Sequence, residues 1–279
     1  MTGTSRKFVG IAVGLALAAG VLSLIGYGGR TPAPAGPILS ECDGQIRRLV
    51  IHYVQGSAFA VPVYRELLGQ LDGGIRVYVV CPDRASYEEL LEGVGTTRVE
   101  LVPVIVDHPM TSWSRDRWLA LGPGEAGGPV TLVPPREELG ANISERRRGD
   151  ERIGGDLAKA LGPGVRAQVS SLFFDGGDFD ADDRTVFVTP DVLKRNLQHT
   201  VLSAAELREE LGRMLKRKVV LLEESPPHHA GMFMRVAGDN TVVVGDPSLG
   251  RALWSESFPP LPEGPDFSDE AQARFDAVA

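Results

Sequence analysis

Residues 171–190, SLFFDGGDFDADDRTVFVTP, set five aspartates and an adjacent pair of glycines between two apolar runs. Clustered carboxylates bind cations, and calcium is the first to consider, because Asp178, Asp180 and Asp182 alternate as the opening ligands of an EF-hand do. The register fails. Counting from Asp178, the positions that require Gly and Glu hold Asp183 and Thr189. Residues 172–174 and 185–188 are instead β-rich, with turn chemistry between them, so Asp180, Asp182 and Asp183 are expected at the solvated tip of a β-hairpin. Asp175 and Asp178 remain to be explained. They flank Gly176-Gly177, and paired glycines in a strand mark a place where something approaches the backbone closely.

Two other stretches carry polar residues in apolar surroundings: TSWSRD, with Trp113, Arg115 and Asp116, and HHAGMFM, with His228 and His229. No metal site is expected from them, because adjacent histidines on a strand face opposite sides and no Cys/His cluster accompanies them. A serine hydrolase is not supported either, since no G-x-S-x-G elbow occurs. Each residue also has a plain structural reading. Asp116 between Arg115 and Arg117 suits a surface ion pair, His229 after Pro226-Pro227 suits an exposed loop, and Trp113 and Trp118 suit the core.

The elements that must position these residues alternate in type. RRLVIHYV reads as a strand, AVPVYRELLGQL as an amphipathic helix and IRVYVVCP as a buried strand, followed by a helix over 86–92 and a strand over 99–106. Strands are then expected over 113–121 and 130–133, a helix over 155–161 and a strand over 165–169. After the hairpin come a helix over 204–216 and the strand KVVLLEE. Two strands about an Asp239-Asn240 turn follow, then a Pro-rich loop and a last helix capped by Ser268. Strand, strand, helix, strand thus recurs about every 55 to 60 residues. Each round places its polar group, Arg115-Asp116, then Asp175 and Asp178, then His228-His229, in its first strand, which would bring the three to one pole.

The 279 residues carry a net charge of −8, which argues against a nucleic-acid surface. The one basic cluster, Arg146 to Arg148, is flanked by Glu145, Asp150 and Glu151 and reads as a mixed-charge surface loop. Arg6-Lys7 precedes an uncharged apolar run over 8–27, long enough at about twenty residues to span a bilayer. Residues 1–29 are therefore expected to be a signal or, in preference, an uncleaved transmembrane anchor, 30–44 a Pro/Gly-rich linker, and 45–279 an exported α/β domain. Of the two cysteines, Cys42 lies beside the linker and Cys81 at a strand end. An oxidising compartment permits a bridge between them, but Cys81 reads better as a small buried hydrophobe.

Taken in order and at these spacings, TSWSRD, FFDGGDF and HHAGMFM resemble the pentein superfamily, the guanidine-modifying enzymes that include agmatine deiminase, bacterial peptidylarginine deiminase and arginine deiminase. The resemblance covers residues 47–279. It implies ββαβ units about a pseudo-fivefold axis, with about three and a half units present and the C-terminal part missing. It also implies a cationic small-molecule or peptide guanidinium substrate, and no cofactor or metal. By the resemblance, Asp116 and Asp175 grip the guanidinium and His229 is the general acid and base. Asp178, Trp113, Arg115, Gly176 and Gly177 complete the substrate-binding set. The chemistry is consistent, because a guanidinium is planar and carboxylates receive it bidentately, while a histidine shuttles protons near neutral pH. Two departures matter. The family's His-x-Asp is His229-Ala230-Gly231 here, and its nucleophilic cysteine lies near its C-terminus, whereas Cys42 and Cys81 match it in neither order nor context. Three expectations follow: an incomplete deiminase-like protein, inactive as this chain; a non-catalytic binding module for cationic ligands; or an unrelated α/β protein.

Overall fold

In RVYVVC, the strand β2 (Arg76–Cys81), every residue after Arg76 is buried, as a strand covered on both faces requires. In the computed structural model of the chain, which describes residues 36–42, 44–138, 147–257 and 265–279, β2 is the middle of a parallel sheet. Its neighbours are β1 (Arg48–His52) and β3 (Glu100–Ile105). The crossovers are helices α1 (Val61–Gln70) and α2 (Arg84–Val94), and Asp83 caps α2 by accepting the Ser86 N–H at 2.7 Å.

Two units then share one topology. In the first, β4 (Leu119–Leu121) runs antiparallel to β5 (Val130–Val133), which is parallel to β6 (Val165–Ala167) across α3 (Ile153–Leu161). In the second, β7 (Phe179–Ala181) is antiparallel to β8 (Thr185–Val188), which is parallel to β9 (Lys218–Leu221) across α4 (Pro190–Asn196) and α5 (Ala204–Leu215). A third round opens with the antiparallel pair β10 (Met234–Gly238) and β11 (Thr241–Val244), whose Asp239-Asn240 turn takes φ 50 and 58°. It continues through α6 (Pro247–Ser257) to α7 (Asp269–Asp276), where Ser268 accepts the Ala271 N–H. The expected strand–strand–helix–strand recurrence is therefore present in the middle of the chain, while the first sheet is wholly parallel.

Several expectations are corrected. The strand over 113–121 shortens to β4, and residues 172–174 form no strand; the hairpin partner of β8 is β7. Asp180 and Asp182 are buried. Asp180 sits inside β7 and accepts the Val236 N–H at 3.0 Å, and Asp182 accepts the N–H groups of Arg184 and Thr185. Only Asp183 is exposed at the tip. The folded body does not start at residue 45: Ile38 is buried in the largest core cluster with Leu121, Phe174, Phe179 and Leu215, and its N–H donates to the Leu215 carbonyl at 2.9 Å. Both cysteines are free thiols, Cys81 buried and Cys42 exposed. The apolar run over 8–27 lies outside the described residues, among which no helix is long and apolar enough to cross a membrane.

Candidate functional site

The polar groups of successive rounds lie not in the first strands but one step earlier, on single-turn 3-10 helices that lead into them. Ser114–Asp116 precedes β4, Gly176–Asp178 precedes β7 and Ala230–Met232, with His229 at its N-cap, precedes β10. A tight turn gathers side chains that a strand would send to alternate faces. The Gly-Gly pair lets the turns touch. A Cβ on Gly176 would stand 2.3 Å from the Arg115 carbonyl oxygen, and one on Gly177 would stand 2.5 Å from His229 Cγ and Nδ1 and 3.0 Å from Asp116 Oδ1. What approaches the backbone there is the protein itself, so the two glycines assemble the pole rather than line an open channel.

His229 Nδ1 lies 3.5 Å from Asp116 Oδ1. Asp116 is buried, and that burial pushes its carboxyl above the ordinary range against the opposing pull of His229 and Arg117. Asp175 Oδ1 accepts Arg147 Nη2 at 2.5 Å, and its Oδ2 accepts Arg195 Nη1 at 3.0 Å. Asp178 Oδ2 accepts the Asp175 N–H at 3.0 Å and a second donor from Arg195, while Oδ1 accepts Thr189 Oγ1 at 3.2 Å. Arg117 is, among the described residues, the largest fully buried side chain, 2% exposed. Its Nε is 3.3 Å from Asp150 Oδ2, its Nη2 3.4 Å from Asp116 Oδ2 and its Nη1 3.7 Å from Asp175 Oδ1. Asp150 is held in turn by the N–H and Oγ1 of Thr111 at 2.9 and 2.8 Å. Asp116, Asp150, Asp175 and Asp178 thus face the guanidinium groups of Arg117, Arg147 and Arg195.

The structure brings together Asp116, Asp175, Asp178, His229, Gly176 and Gly177. Asp178, like Asp175, has both oxygens engaged within the chain, and its bond to the Asp175 N–H closes the turn. Trp113 is 60% exposed beside the pole, and its carbonyl accepts Arg117 Nε at 3.3 Å. Arg115 does not join the cluster: its guanidinium turns to Glu41 and to the Phe179 carbonyl. Sequence reasoning missed Arg117, Asp150, Arg147 and Arg195. Arg147 and Asp150 come from the stretch read as a surface loop, whose Arg146 lies outside the described residues, and Arg195 comes from α4, which was not expected. Where a His-x-Asp motif would carry its acid, Gly231 leaves room instead for Arg235, whose Nη1 would be 3.1 Å from a Cβ there. Arg235 pairs with Glu41 at 3.0 Å and Asp180 at 3.4 Å, a second cluster in which burial and Glu41 raise the Asp180 carboxyl to about 6.

Chemically the pole sets acids against guanidinium groups of the chain itself, with an imidazole beside Asp116. Neither thiol belongs to it. Cys81 packs with Ile51, Tyr53 and Leu90 in another core cluster, and burial and Asp83 push its thiol up to about 12; Cys42 bonds Ser40 at the surface.

No family sequence model and no curated protein sequence matches the chain. Solved structures do. A candidate agmatine deiminase superposes with a TM-score of 0.63 at 17% identity, over 88% of this chain and 68% of that one. A candidate peptidyl-arginine deiminase gives 0.60 at 14%, over 87% and 70%, and the agmatine deiminase of C. jejuni gives 0.57 at 14%, over 79% and 71%. At these identities the likeness is one of fold, and the chain has the α/β fold of the pentein superfamily, to which those deiminases belong.

Proposed function

We propose that this protein recognises the guanidinium group of a small molecule or peptide at the pole formed by Asp116, Asp175 and His229, and that the 279 residues bind such ligands in the deiminase manner without hydrolysing them. One observation carries the reading. Carboxylates from separate turns converge beside His229, and Asp175, central among them, already receives guanidinium N–H groups at 2.5 and 3.0 Å, so the site has the geometry this cation requires. The folds named above come from proteins described as agmatine and peptidyl-arginine deiminases, which favours the same substrate class. Hydrolysis by that route needs a thiolate at the guanidinium carbon. A thiol held at about 12 in a separate core and one bonded to Ser40 at the surface do not supply it. His229 then has an acid to orient it and no covalent step to assist.

Titrating the full chain with agmatine, arginine and an arginine-containing peptide, with released ammonia assayed alongside, tests this. Binding in the millimolar range, about 4 kcal/mol, without ammonia is expected. No ligand-dependent response overturns the recognition, and turnover abolished by Cys81→Ser overturns the assignment of a site without a nucleophile. We further propose that residues 8–27 anchor the exported domain in a membrane, with Arg6-Lys7 setting the orientation. Recovery of the full chain in a soluble fraction after alkaline carbonate extraction would remove that proposal.

A further inference from the structure

The three arginines of the pole are held very differently. Arg117 is wedged among Asp116, Asp150 and Asp175. Arg195 bridges Asp175 and Asp178 and lies 3.8 Å from Glu138. Among the described residues Arg147 has one ion pair, to Asp175 Oδ1; its side chain is 31% exposed, and its Nε, like Nη1 of Arg117, is buried without a hydrogen-bond partner. It is also delivered from outside the three turns. Arg147 stands just ahead of the 3-10 turn Asp150–Arg152, and Gly149 at φ 115° allows that chain to pass against His108 and Pro109, where a Cβ would meet His108 Nδ1 at 2.5 Å.

We propose that Arg147 is an internal competitor for the guanidinium site: its guanidinium occupies the Asp175 oxygen that an incoming guanidinium needs, and a ligand binds by displacing it. This rests on the guanidinium-recognition reading above. Arg147 presents the same planar group as the ligand, at the same acid, from a segment that keeps it close whatever the ligand concentration. Of the three arginines it is the one whose withdrawal breaks a single ion pair among the described residues and leaves Asp175 with a partner, Arg195. A site that is free only part of the time binds with an affinity reduced by that fraction, so a competitor docked nine-tenths of the time weakens the ligand about tenfold.

The test is titration of the full chain and of its Arg147→Gln variant with agmatine and with a diamine of equal charge but no guanidinium. The Arg152→Gln variant serves as control, since Arg152 pairs with exposed Asp107 at 3.0 Å, away from the pole. Arg147→Gln is expected to tighten agmatine about tenfold and the diamine far less, with Arg152→Gln unchanged. Equal agmatine affinity in wild type and Arg147→Gln overturns the competition and leaves the recognition standing. An equal gain for the diamine also overturns it, because loss of one positive charge would then account for the effect. Absence of agmatine binding in all three proteins overturns both. If melting shows Arg147→Gln unfolded, Arg147→Lys replaces it, keeping the charge but losing the fork; the same preferential gain is expected, and its absence counts against the competition.

Discussion

Asp175 and Asp180 are both buried acids, and their substitutions are expected to act in different ways. Asp175 receives Arg147 and Arg195, so Asp175→Asn leaves two guanidinium groups facing an amide in a buried place, and loss of about 3 to 5 kcal/mol is expected in urea unfolding. Asp183→Asn, at the exposed hairpin tip, should stay within about 0.5 kcal/mol. Asp180 is held at about 6, above the unfolded carboxylate value near 3.9. Between those values the folded chain binds the extra proton, so the contribution to stability is full below about pH 4 and is lost as pH rises through about 6. Asp180→Asn stays neutral throughout. Its stability relative to wild type, followed by thermal melting from pH 4 to 7, should therefore climb across that window; a difference independent of pH refutes the elevated Asp180. At this scale Asp175 and Asp178 were legible as acids to explain, because they flank Gly-Gly between apolar runs, whereas Asp150 was missed and Asp180 was expected at a solvated tip. The partners of these acids were not legible. An arginine's charge reads as surface in a sequence, and only the fold shows that Arg117, Arg147 and Arg195 turn inward.

The 3-10 turns are where pattern reading ran out. Alternation of apolar residues marks a strand but does not separate its first residues from a single helical turn leading into it, so TSWSRD and FFDGGDF were absorbed into strands. Helices α4 and α6 were lost for a related reason: each begins with a proline, Pro190 and Pro247, which reads as a breaker although its fixed φ suits the first helical position. The turns also set the cost of filling the glycines. The obstacles to a Cβ on Gly176 are backbone oxygens, of Arg115 at 2.3 Å and Trp118 at 2.8 Å, which hold two turns together and have little room to retreat. The principal obstacle on Gly177 is the ring of His229, a side chain 33% exposed that can swing outward. Gly176→Ala is accordingly expected to cost about 3 kcal/mol and Gly177→Ala about 1 kcal/mol, with Gly177→Ala instead separating His229 from Asp116 and weakening agmatine binding. The reverse order of stabilities in urea would show that the turns are not packed backbone to backbone as described.

At the scale of the whole molecule, the repeat of strands and helices was readable from periodicity, but the place where the folded body begins was not. Residues 36–41 look like the end of a linker because Gly and Pro dominate what precedes them, and composition says nothing about whether a short apolar stretch finds a groove. Ile38 finds one. The Leu39 N–H donates to the Ala120 carbonyl and the Glu41 N–H to the Ala181 carbonyl, both at 2.9 Å, so the segment ties β4 to β7, and Glu41 then accepts Arg115 and Arg235. A chain starting at Gln45 loses all of this, whereas one starting at Pro34 keeps it. Burial of a side chain such as Ile38 contributes about 1.5 to 3 kcal/mol, and loss of Glu41 leaves Arg115 and Arg235 short of an acid. With each kcal/mol worth about 2 to 4 °C for a domain of this size, the Gln45 chain should melt more than about 5 °C below the Pro34 chain. Adding Ile38→Ala to the Pro34 chain should recover part of that difference as a loss of its own. Equal melting temperatures for the two truncations would return residues 36–41 to the linker and place the start of the domain at Gln45 after all.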